Sequence, residues 1–505
     1  MMFLVLSFLA GLISALAFEP VGAWPLMPLA LGALIWLVDR APTLRSALAR
    51  GWWFGFGNFA LGLNWIATAF IYQVAMPAWL GWVAVALLSL YLALFPAAAA
   101  GLAWRWGRRH LLVFVLLFAA AWIVTEWLRA ALFTGFAWNP AGVVLLPSGL
   151  SWPARWIGTY GLSGLAVLIG GVMVLAVRQQ TKRAGLLAFA VFGAAAAAWA
   201  AAPRAPGGAG PAVRIVQPDI GQELKWSPQF AERNMARLAE LSRTGGADRP
   251  RLLIWPEAAV TEPLQDERRL IGHQHDVLAT RRAIRTVLAP GDLLLTGGIT
   301  IRSADGVRAT GATNSVFAIG SDGEILARYD KAHLVPYGEY LPMRPLLSAI
   351  GLSRLVPGDL DFDPGPGPRT LDVPGLGRVG FQLCYEIIFP GQVVDPRQRP
   401  DFIFNPSNDA WFGAWGPPQH LAQARMRALE EGLPVVRATP TGISAVIDAG
   451  GRLLHSIPHG EAGVIDARLP LPAAPTLFAR FGNPASLAFA LLLVAAAIAV
   501  RRKAR

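Results

Sequence analysis

Long apolar runs with almost no charged residues fill most of residues 1–202, and one more run lies near the end of the chain. A helix needs about 20 mostly apolar residues to cross the hydrocarbon core of a bilayer. The apolar runs, bounded by charged residues or proline, predict eight transmembrane helices at roughly 2–17, 21–38, 52–72, 78–104, 111–133, 157–177, 184–202 and 485–500. Residues 1–202 would form a membrane domain of seven helices, and residues 485–505 would hold the eighth helix and a basic cytoplasmic tail.

Between residues 212 and 470 the pattern changes to short apolar strands that alternate with amphipathic helices. Strands are predicted at 213–217, 251–255, 293–301, 314–319, 324–329, 378–383, 401–405, 435–438, 443–448 and 453–456, and helices at 229–243, 266–288 and 418–432. A run rich in proline and glycine, 203–211, would tether this part to the membrane domain. Mixed strands and helices over this length predict a layered α/β domain.

The loops between the apolar runs alternate between basic and nearly uncharged. The basic ones, with the C-terminal tail, hold Arg40, Arg45, Arg50, Arg105, Arg108, Arg109, Arg178, Lys182, Arg183, Arg501, Arg502, Lys503 and Arg505. Because loops rich in lysine and arginine stay in the cytoplasm, both termini are expected inside and residues 203–484 outside the cytoplasm. Ala15–Ala17 resembles a signal-peptidase site, but the lack of a preceding basic residue favours a retained first helix.

Composition supports a membrane protein and argues against nucleic acid as a partner. The chain is 54% hydrophobic and 15% charged, whereas soluble domains carry about 25% charged residues. The net charge of +12 comes from basic residues that punctuate apolar segments, not from one basic patch. Inside the fifth predicted span, Glu126 and Arg129 would share a helix face, and both a functional pair and an interfacial ion pair remain open.

Three reactive side chains each follow an apolar, strand-like segment. Glu257 follows one, Lys331 another, and the chain's single cysteine, Cys384, a third. One thiol cannot form an intramolecular disulfide. Because ligand sites of α/β sheets gather at strand ends, the three side chains could converge as base, oxyanion stabiliser and nucleophile of an acyl transfer. Taken singly, each could instead be a buried apolar thiol or a solvated charge.

Longer runs around these residues resemble known families. Trp255–Glu257, Tyr329–Glu339 and Leu383–Glu386 resemble the glutamate, lysine and cysteine motifs of the nitrilase superfamily. Runs in and near the apolar segments resemble the apolipoprotein N-acyltransferases of bacterial inner membranes: Phe18–Pro20, Trp24–Leu26, Thr125–Arg129, Ser407–Gly413 and Gln419–Glu430. The similarity covers essentially the whole chain. Glu19 departs from a usually small residue, and Ala137 from a common proline.

The resemblance implies an αββα sandwich at residues 212–470, in the periplasm of a multi-pass inner-membrane protein. It also implies a two-step reaction that needs no cofactor or metal. An acyl chain would pass from a membrane phospholipid, expected to be phosphatidylethanolamine, to a thioester on Cys384. The acceptor would be the N-terminal amine of diacylglyceryl-cysteine on apolipoproteins. A nearby ammonium would favour the Cys384 thiolate, Glu257 would move the proton and Lys331 would stabilise the oxyanion. A monomer is expected.

The resemblance assigns roles to five more residues. Glu339 corresponds to a second essential carboxylate, and Tyr385 and Glu386 to residues that support the nucleophile. Trp226 corresponds to a position near the lipid entrance, and Trp138 to a possible substrate contact. Glu339 could instead be a loop carboxylate paired with an arginine, and Trp226 an interfacial anchor.

Two other functions fit parts of the pattern. A membrane-anchored amidase or nitrile hydrolase would use the same three side chains, with water in place of the amine. A catalytically silent scaffold would not require Glu257, Lys331 and Cys384 together. The pair His273 and His275 is read as a solvated helix face, because no third metal ligand lies nearby in the sequence.

Overall fold

The structure is a computed structural model that describes residues 1–72, 76–202, 210–225, 227–243, 251–349, 354–355 and 361–503. Most of the predicted tether at 203–211 lies outside the described residues, as does Trp226.

Helices make up the N-terminal part of the chain: α1 Met2–Ala15, α2 Leu26–Asp39, α3 Leu44–Gly62, α4 Ile66–Ala69, α5 Leu80–Leu92, α6 Leu94–Gly107, α7 Leu111–Ala131, α8 Ala154–Val177 and α9 Thr181–Ala200. A 3₁₀ helix, Ala141–Ser148, lies between α7 and α8. The helices bury a large apolar cluster that includes Leu34, Phe54, Phe118 and Leu165.

Five described stretches are long and apolar enough to cross a membrane: Leu80–Gly107, Leu111–Ala131, Ala154–Val177, Thr181–Ala200 and the C-terminal helix Asn483–Lys503. The first helix and Leu26–Asp39 are apolar but shorter. The predicted span 52–72 is interrupted, since α3 ends at Gly62 and only the four-residue α4 follows. The count of eight spans therefore stays a prediction, while membrane insertion rests on the five long stretches.

The second part of the chain contains thirteen strands and seven α-helices among the described residues. They are β1 Ala212–Gln217, α10 Gln222–Lys225, α11 Ala231–Arg243, β2 Leu252–Ile254, β3 Pro263–Asp266, α12 Ile271–Arg285, β4 Leu293–Arg302, β5 Gly311–Gly320, β6 Ile325–Asp330, α13 Arg344–Ala349, β7 Thr370–Val373, β8 Gly377–Phe381, β9 Phe402–Pro406, α14 Gly416–Glu431, β10 Val435–Ala438, β11 Ser444–Ile447, β12 Leu453–Ile457, β13 Gly463–Arg468, α15 Leu477–Phe481 and α16 Asn483–Lys503.

These strands form two sheets. The first has the order β13-β1-β2-β4-β5-β6, with β3 paired to β4, and the second has the order β12-β11-β10-β9-β8-β7. Apolar side chains of both sheets, such as Ile254, Phe381 and Phe404, share one buried cluster between them. The predicted hairpin at 314–329 is present, because β5 and β6 pair antiparallel.

Helices cover the outer faces of both sheets. On the first sheet, Leu238 of α11 and Ile284 of α12 pack against Leu253 and Phe317. On the second sheet, α14 covers the strands and also contacts α8 of the membrane helices. The predicted αββα layering is therefore confirmed, and its α14 layer is shared with the membrane domain.

Candidate active site

The three reactive side chains predicted from the sequence converge at one end of the sandwich. Glu257 lies three residues after β2, and Lys331 directly after β6. Cys384 begins the 3₁₀ helix Cys384–Ile388 that follows β8, with a positive φ of 47°. All three are at least 95% buried and line the same cavity.

Two carboxylates share the Lys331 ammonium. Lys331 Nζ lies 2.9 Å from Glu339 Oε1 and 3.4 Å from Glu257 Oε1. Asn314 Nδ2, on β5, donates to the same two oxygens at 2.8 and 2.7 Å. Glu257 Oε2 is buried and has no hydrogen-bond partner among the described residues. Glu257 thus keeps one oxygen that can accept a proton.

The role of Asn314 was not foreseen, since an asparagine within an alternating strand carries no signal of its own. Glu339, by contrast, lies beside the other predicted residues. Its carboxylate pairs with Lys331, while Arg354 donates to the backbone carbonyl of Glu339.

The electrostatics place the proton on sulfur. Burial and the Glu257 charge raise the pKa of Cys384 well above its ordinary value, although Lys331 acts in the opposite direction. Burial would raise the pKa of Glu257, but Lys331 and the Asn314 hydrogen bond lower it below its ordinary value. Burial would lower the pKa of Lys331, but Glu339 and Glu257 raise it. Lys331 therefore acts in favour of the thiolate, but burial and the Glu257 charge act against it, so a thiol lies beside an ionised carboxylate that can take its proton.

Glu386 connects the nucleophile loop to the lysine loop. Its Oε1 accepts hydrogen bonds from the backbone N–H groups of Ala332 and His333 and from the Tyr329 hydroxyl, at 2.8 to 3.1 Å. Its Oε2 accepts from the N–H of Leu383 at 2.8 Å. Burial raises the pKa of Glu386, although these backbone donors oppose the change. By binding Ala332, His333 and Leu383, the carboxyl of Glu386 fixes the loop after Lys331 relative to the loop that carries Cys384.

Tyr385 connects the nucleophile loop to the membrane domain. Its hydroxyl donates to the backbone carbonyl of Gly135 at 3.3 Å, and its ring packs edge-on against Phe389. His333 stacks on Phe389 with ring centroids 4.0 Å apart and also packs edge-on against Tyr385.

Lys225 is a second buried ammonium that the sequence did not single out. It ends α10 and is 5% exposed, and its Nζ donates to the backbone carbonyl of Glu257 at 2.8 Å. Burial lowers the pKa of Lys225 to about 8, although Glu257 and Cys384 oppose this. The sequence feature that could have drawn attention to Lys225 is its position directly before Trp226, which the family resemblance assigns to a place near the lipid entrance.

A cavity of about 750 Å³ extends from the reactive side chains to the membrane helices. Its polar lining includes Glu257, Asn314, Lys331, Glu339 and Cys384. Its apolar lining comes largely from α4, α5 and the segment after α7, with Ile66, Ala69, Leu80, Val83, Leu87, Leu132 and Phe133 among the residues. A long hydrocarbon chain could therefore lie against helices of the membrane domain while its carbonyl end reaches Cys384.

Trp138 is fully buried and is not among the described residues that line this cavity. Its Nε1 donates to Gln419 Oε1 at 2.8 Å, and its backbone carbonyl accepts from Arg129. Glu126 lies 3.9 Å from Arg129 and accepts from the N–H of Ala141. Glu126 and Arg129 thus bind the backbone of the segment that contains Trp138.

Asp409 and His420 lie close enough to Cys384 for their ligand atoms to fall within 4.8 Å of one another. The donor set does not suit a metal ion. Both ring nitrogens of His420 already have hydrogen-bond partners, and the Arg437 guanidinium lies 2.6 Å from Asp409 Oδ2. A guanidinium at that distance supplies the positive charge that a metal would otherwise bring.

Comparison with known proteins matches both halves of the chain. Residues 10–172 match a family described as the apolipoprotein N-acyltransferase N-terminal domain, and residues 212–475 match the carbon-nitrogen hydrolase family. The apolipoprotein N-acyltransferase of Rhodopseudomonas palustris is 37% identical over 519 residues, which cover 97% of this chain and 94% of that protein. The Caulobacter vibrioides protein of the same name is 38% identical over 519 residues, covering 98% and 94% of the two chains.

Proposed function

The chain belongs to the apolipoprotein N-acyltransferase family, and from this premise we propose that it N-acylates apolipoproteins through a thioester on Cys384. The observation that carries the proposal is the grouping of Cys384, Glu257 and Lys331 in one cavity with an apolar lining from the membrane helices. The proposed acyl donor is a membrane phospholipid, namely phosphatidylethanolamine. The acceptor is the N-terminal amine of diacylglyceryl-cysteine.

The first half-reaction moves the acyl chain to sulfur. Glu257 takes the thiol proton as Cys384 Sγ attacks the ester carbonyl, and the C–S bond forms. Two of the three Lys331 hydrogens face Glu339 and Glu257, so the third can bind the oxyanion. One such donor stabilises the transition state by about 3–4 kcal/mol. The ester C–O bond then breaks, and Glu257 returns the proton to the leaving lysophospholipid oxygen.

The second half-reaction moves the acyl chain to nitrogen. The acceptor amine attacks the thioester carbonyl, Glu257 accepts the amine proton, and Lys331 again stabilises the oxyanion. The C–S bond breaks, an amide forms, and the proton passes to the Cys384 sulfur. The apolar cavity wall favours this transfer over the hydrolysis considered above, since both substrates carry hydrocarbon chains.

We propose that the catalytic domain lies on the periplasmic side of the inner membrane. The support is the alternation of basic loops, which keeps Arg40, Arg105 and Arg178 in the cytoplasm together with the basic C-terminal tail. A reporter fused after Pro211 would be active on the periplasmic side, and cytoplasmic activity there would overturn the orientation.

The thioester provides the direct test. Purified protein is exposed to phosphatidylethanolamine, and the peptide that contains Cys384 is examined by mass spectrometry. An added acyl mass is expected in the wild type and absent in Cys384→Ser. Addition of a diacylglyceryl-cysteine peptide should remove that mass and yield N-acylated peptide. An ether-linked phospholipid serves as the control, because it has no ester to cleave. N-acylation at the wild-type rate by Cys384→Ser would exclude this mechanism.

A further inference from the structure

A buried polar cluster that does not include Glu257, Lys331 or the Cys384 thiol contacts the backbone of Cys384. Asp409 follows β9, His420 lies on α14, and Arg437 lies on β10. Each of these three side chains is fully buried. None is among the described residues that line the cavity, so their charges and hydrogen bonds act within the protein.

The contact with Cys384 is made by the histidine ring. His420 Nε2 lies 3.0 Å from the backbone carbonyl oxygen of Cys384. Because a carbonyl oxygen can only accept a hydrogen bond, Nε2 must carry the hydrogen. This holds for the neutral ring and for the charged ring alike.

The other ring nitrogen faces two charged partners. His420 Nδ1 lies 2.9 Å from Asp409 Oδ1 and 3.1 Å from an Arg437 nitrogen. Arg437 is in turn 2.6 Å from Asp409 Oδ2 and donates to Ser407 Oγ at 2.9 Å. A charged ring would donate to Asp409, and a neutral ring would accept from Arg437. Either arrangement fixes the plane of the imidazole.

The peptide that receives this hydrogen bond has an unusual conformation. Cys384 has a φ of 47°, in the left-handed region that costs a non-glycine residue about 1–2 kcal/mol. The peptide group before its Cα is held through the Leu383 carbonyl, which accepts from the Glu386 N–H at 3.0 Å. The His420 bond holds the carbonyl that follows, so the peptide groups on both sides of the Cys384 Cα are fixed. Because both peptide groups are fixed, the Cα–Cβ bond of Cys384 points in a single direction.

From this geometry we infer that His420 is a positioning residue that, held by Asp409 and Arg437, aims the Cys384 thiol at Glu257 and Lys331 by binding the Cys384 carbonyl. The inference rests on the proposed function only in taking Cys384 as the nucleophile. It also links the nucleophile to the membrane domain. The His420 ring packs against Trp138 with centroids 5.1 Å apart, and Trp138 bonds the adjacent Gln419.

The test compares two substitutions at the same position. His420→Leu removes the donor, whereas His420→Gln keeps an N–H group near the place of Nε2. A misplacement of about 1 Å costs about 100-fold in rate. We expect His420→Leu to slow thioester formation on Cys384 by about that factor, with the KM for phosphatidylethanolamine unchanged. His420→Gln should recover at least about a tenth of the wild-type rate.

A matched control lies one turn along the same helix. Gln423 is 1% exposed, and its side chain has no hydrogen-bond partner among the described residues. Gln423→Leu therefore makes a similar buried polar-to-apolar change without loss of a hydrogen bond, and it should form the thioester at the wild-type rate. A Gln423→Leu rate as low as that of His420→Leu would mean that any such change in α14 disturbs the site, and the inference would fail.

Asp409→Asn extends the test if His420→Leu does not fold. The amide keeps the shape of the side chain but loses the charge that orients the ring, so thioester formation should slow with KM unchanged. Equal rates for His420→Leu and His420→Gln would overturn the inference, as would a wild-type rate for Asp409→Asn. If the proposed function itself is wrong, the wild-type protein forms no thioester, and the two failures are thereby distinguished.

Discussion

Two buried clusters in this protein combine the same kinds of charged groups and do different things. The cavity cluster consists of Glu257, Lys331, Glu339 and Asn314. The junction cluster consists of Thr159, Arg427 and Glu430, where α14 meets α8. In both, the carboxylate is at least 95% buried beside a buried cation. Burial and charge alone therefore do not distinguish a reactive site from a structural one.

In the junction cluster, one carboxylate oxygen of Glu430 accepts hydrogen bonds and the other forms an ion pair with Arg427. Glu430 Oε1 accepts from the N–H and hydroxyl of Thr159, and Glu430 Oε2 lies 2.8 Å from Arg427 Nε. These contacts fall where α8 is interrupted, since Gly158 has a φ of 65° within the helix. Glu430 thus satisfies a backbone N–H that the interruption exposes. Burial raises the pKa of Glu430, although Arg427 opposes the change.

The cavity cluster, in contrast, places the Glu257 oxygen that has no described hydrogen-bond partner next to a cavity and a thiol, whereas the corresponding oxygen of Glu430 lies against the Arg427 guanidinium. An ionised carboxylate with such an oxygen can receive a proton, whereas Glu430 can do so only by giving up its contacts. The comparison indicates that an incompletely satisfied charge beside a cavity marks the chemistry.

The strongest test of this comparison is Glu257→Gln. The amide cannot accept the thiol proton, so we expect thioester formation to fall by about 10³-fold. Lys331 keeps its partner Glu339, so the free energy of unfolding should change by less than about 1 kcal/mol. Single-turnover mass spectrometry measures the first quantity, and chemical denaturation in detergent the second.

Glu262→Gln is the control for Glu257→Gln. Glu262 lies in the same segment, is half-buried and is not among the described cavity-lining residues. Its amide variant should react normally. A Glu257→Gln protein that forms the thioester at the wild-type rate would remove Glu257 from the mechanism.

Glu430→Gln should produce the opposite pattern. Removing the charge leaves Arg427 buried without its carboxylate, which costs about 3 kcal/mol in the free energy of unfolding. The rate of thioester formation per folded molecule should stay within about twofold of wild type, because Glu430 does not touch the reacting atoms. Glu240→Gln breaks an exposed pair with Arg237 and should cost less than about 0.5 kcal/mol. A large loss of rate with full stability would mean that the junction cluster takes part in catalysis.

The three reactive side chains could be predicted, because Glu257, Lys331 and Cys384 each follow an apolar strand in the sequence. Their convergence follows from a general property of sheets and does not need the coordinates. Asn314, Lys225 and the Asp409–His420–Arg437 cluster could not be assigned roles in this way. Their roles depend on contacts across the fold, such as the His420 bond to a carbonyl 36 residues earlier in the chain.

The fold shows the same division between strong and weak patterns. Apolar central strands such as β2, β4 and β9 were predicted, whereas β3, β7 and β13 were missed. The missed strands each lie at a sheet edge or off the main path, where half-exposed positions weaken the apolar pattern. The interruption after Gly62 was also missed, since an apolar run continues through a break that only the backbone reveals.

Lys225 should have a smaller effect on the rate of thioester formation. Its ammonium binds the backbone carbonyl of Glu257 and acts on the cavity cluster only through its charge. It interacts electrostatically with Glu257 and Cys384, and its pKa is lowered to about 8 by burial. Below pH 8 the ammonium is charged and favours the thiolate. As the pH rises through about 8 this charge is lost, whereas the pKa of Lys331 is raised, so Lys331 stays charged.

The rate of thioester formation in the wild type should therefore fall by about three- to tenfold through this range, the equivalent of half to one pKa unit on the thiol. Lys225→Met should start at the lower rate at neutral pH and show no decline near pH 8, since it has no ammonium to titrate. Lys225→Arg should keep the higher rate at alkaline pH, because a guanidinium stays protonated there. The comparison is made by single-turnover thioester formation across this pH range, in one detergent. An identical alkaline decline in the wild type and in Lys225→Met would assign the titration to another group and leave Lys225 with a structural role like that of Glu430.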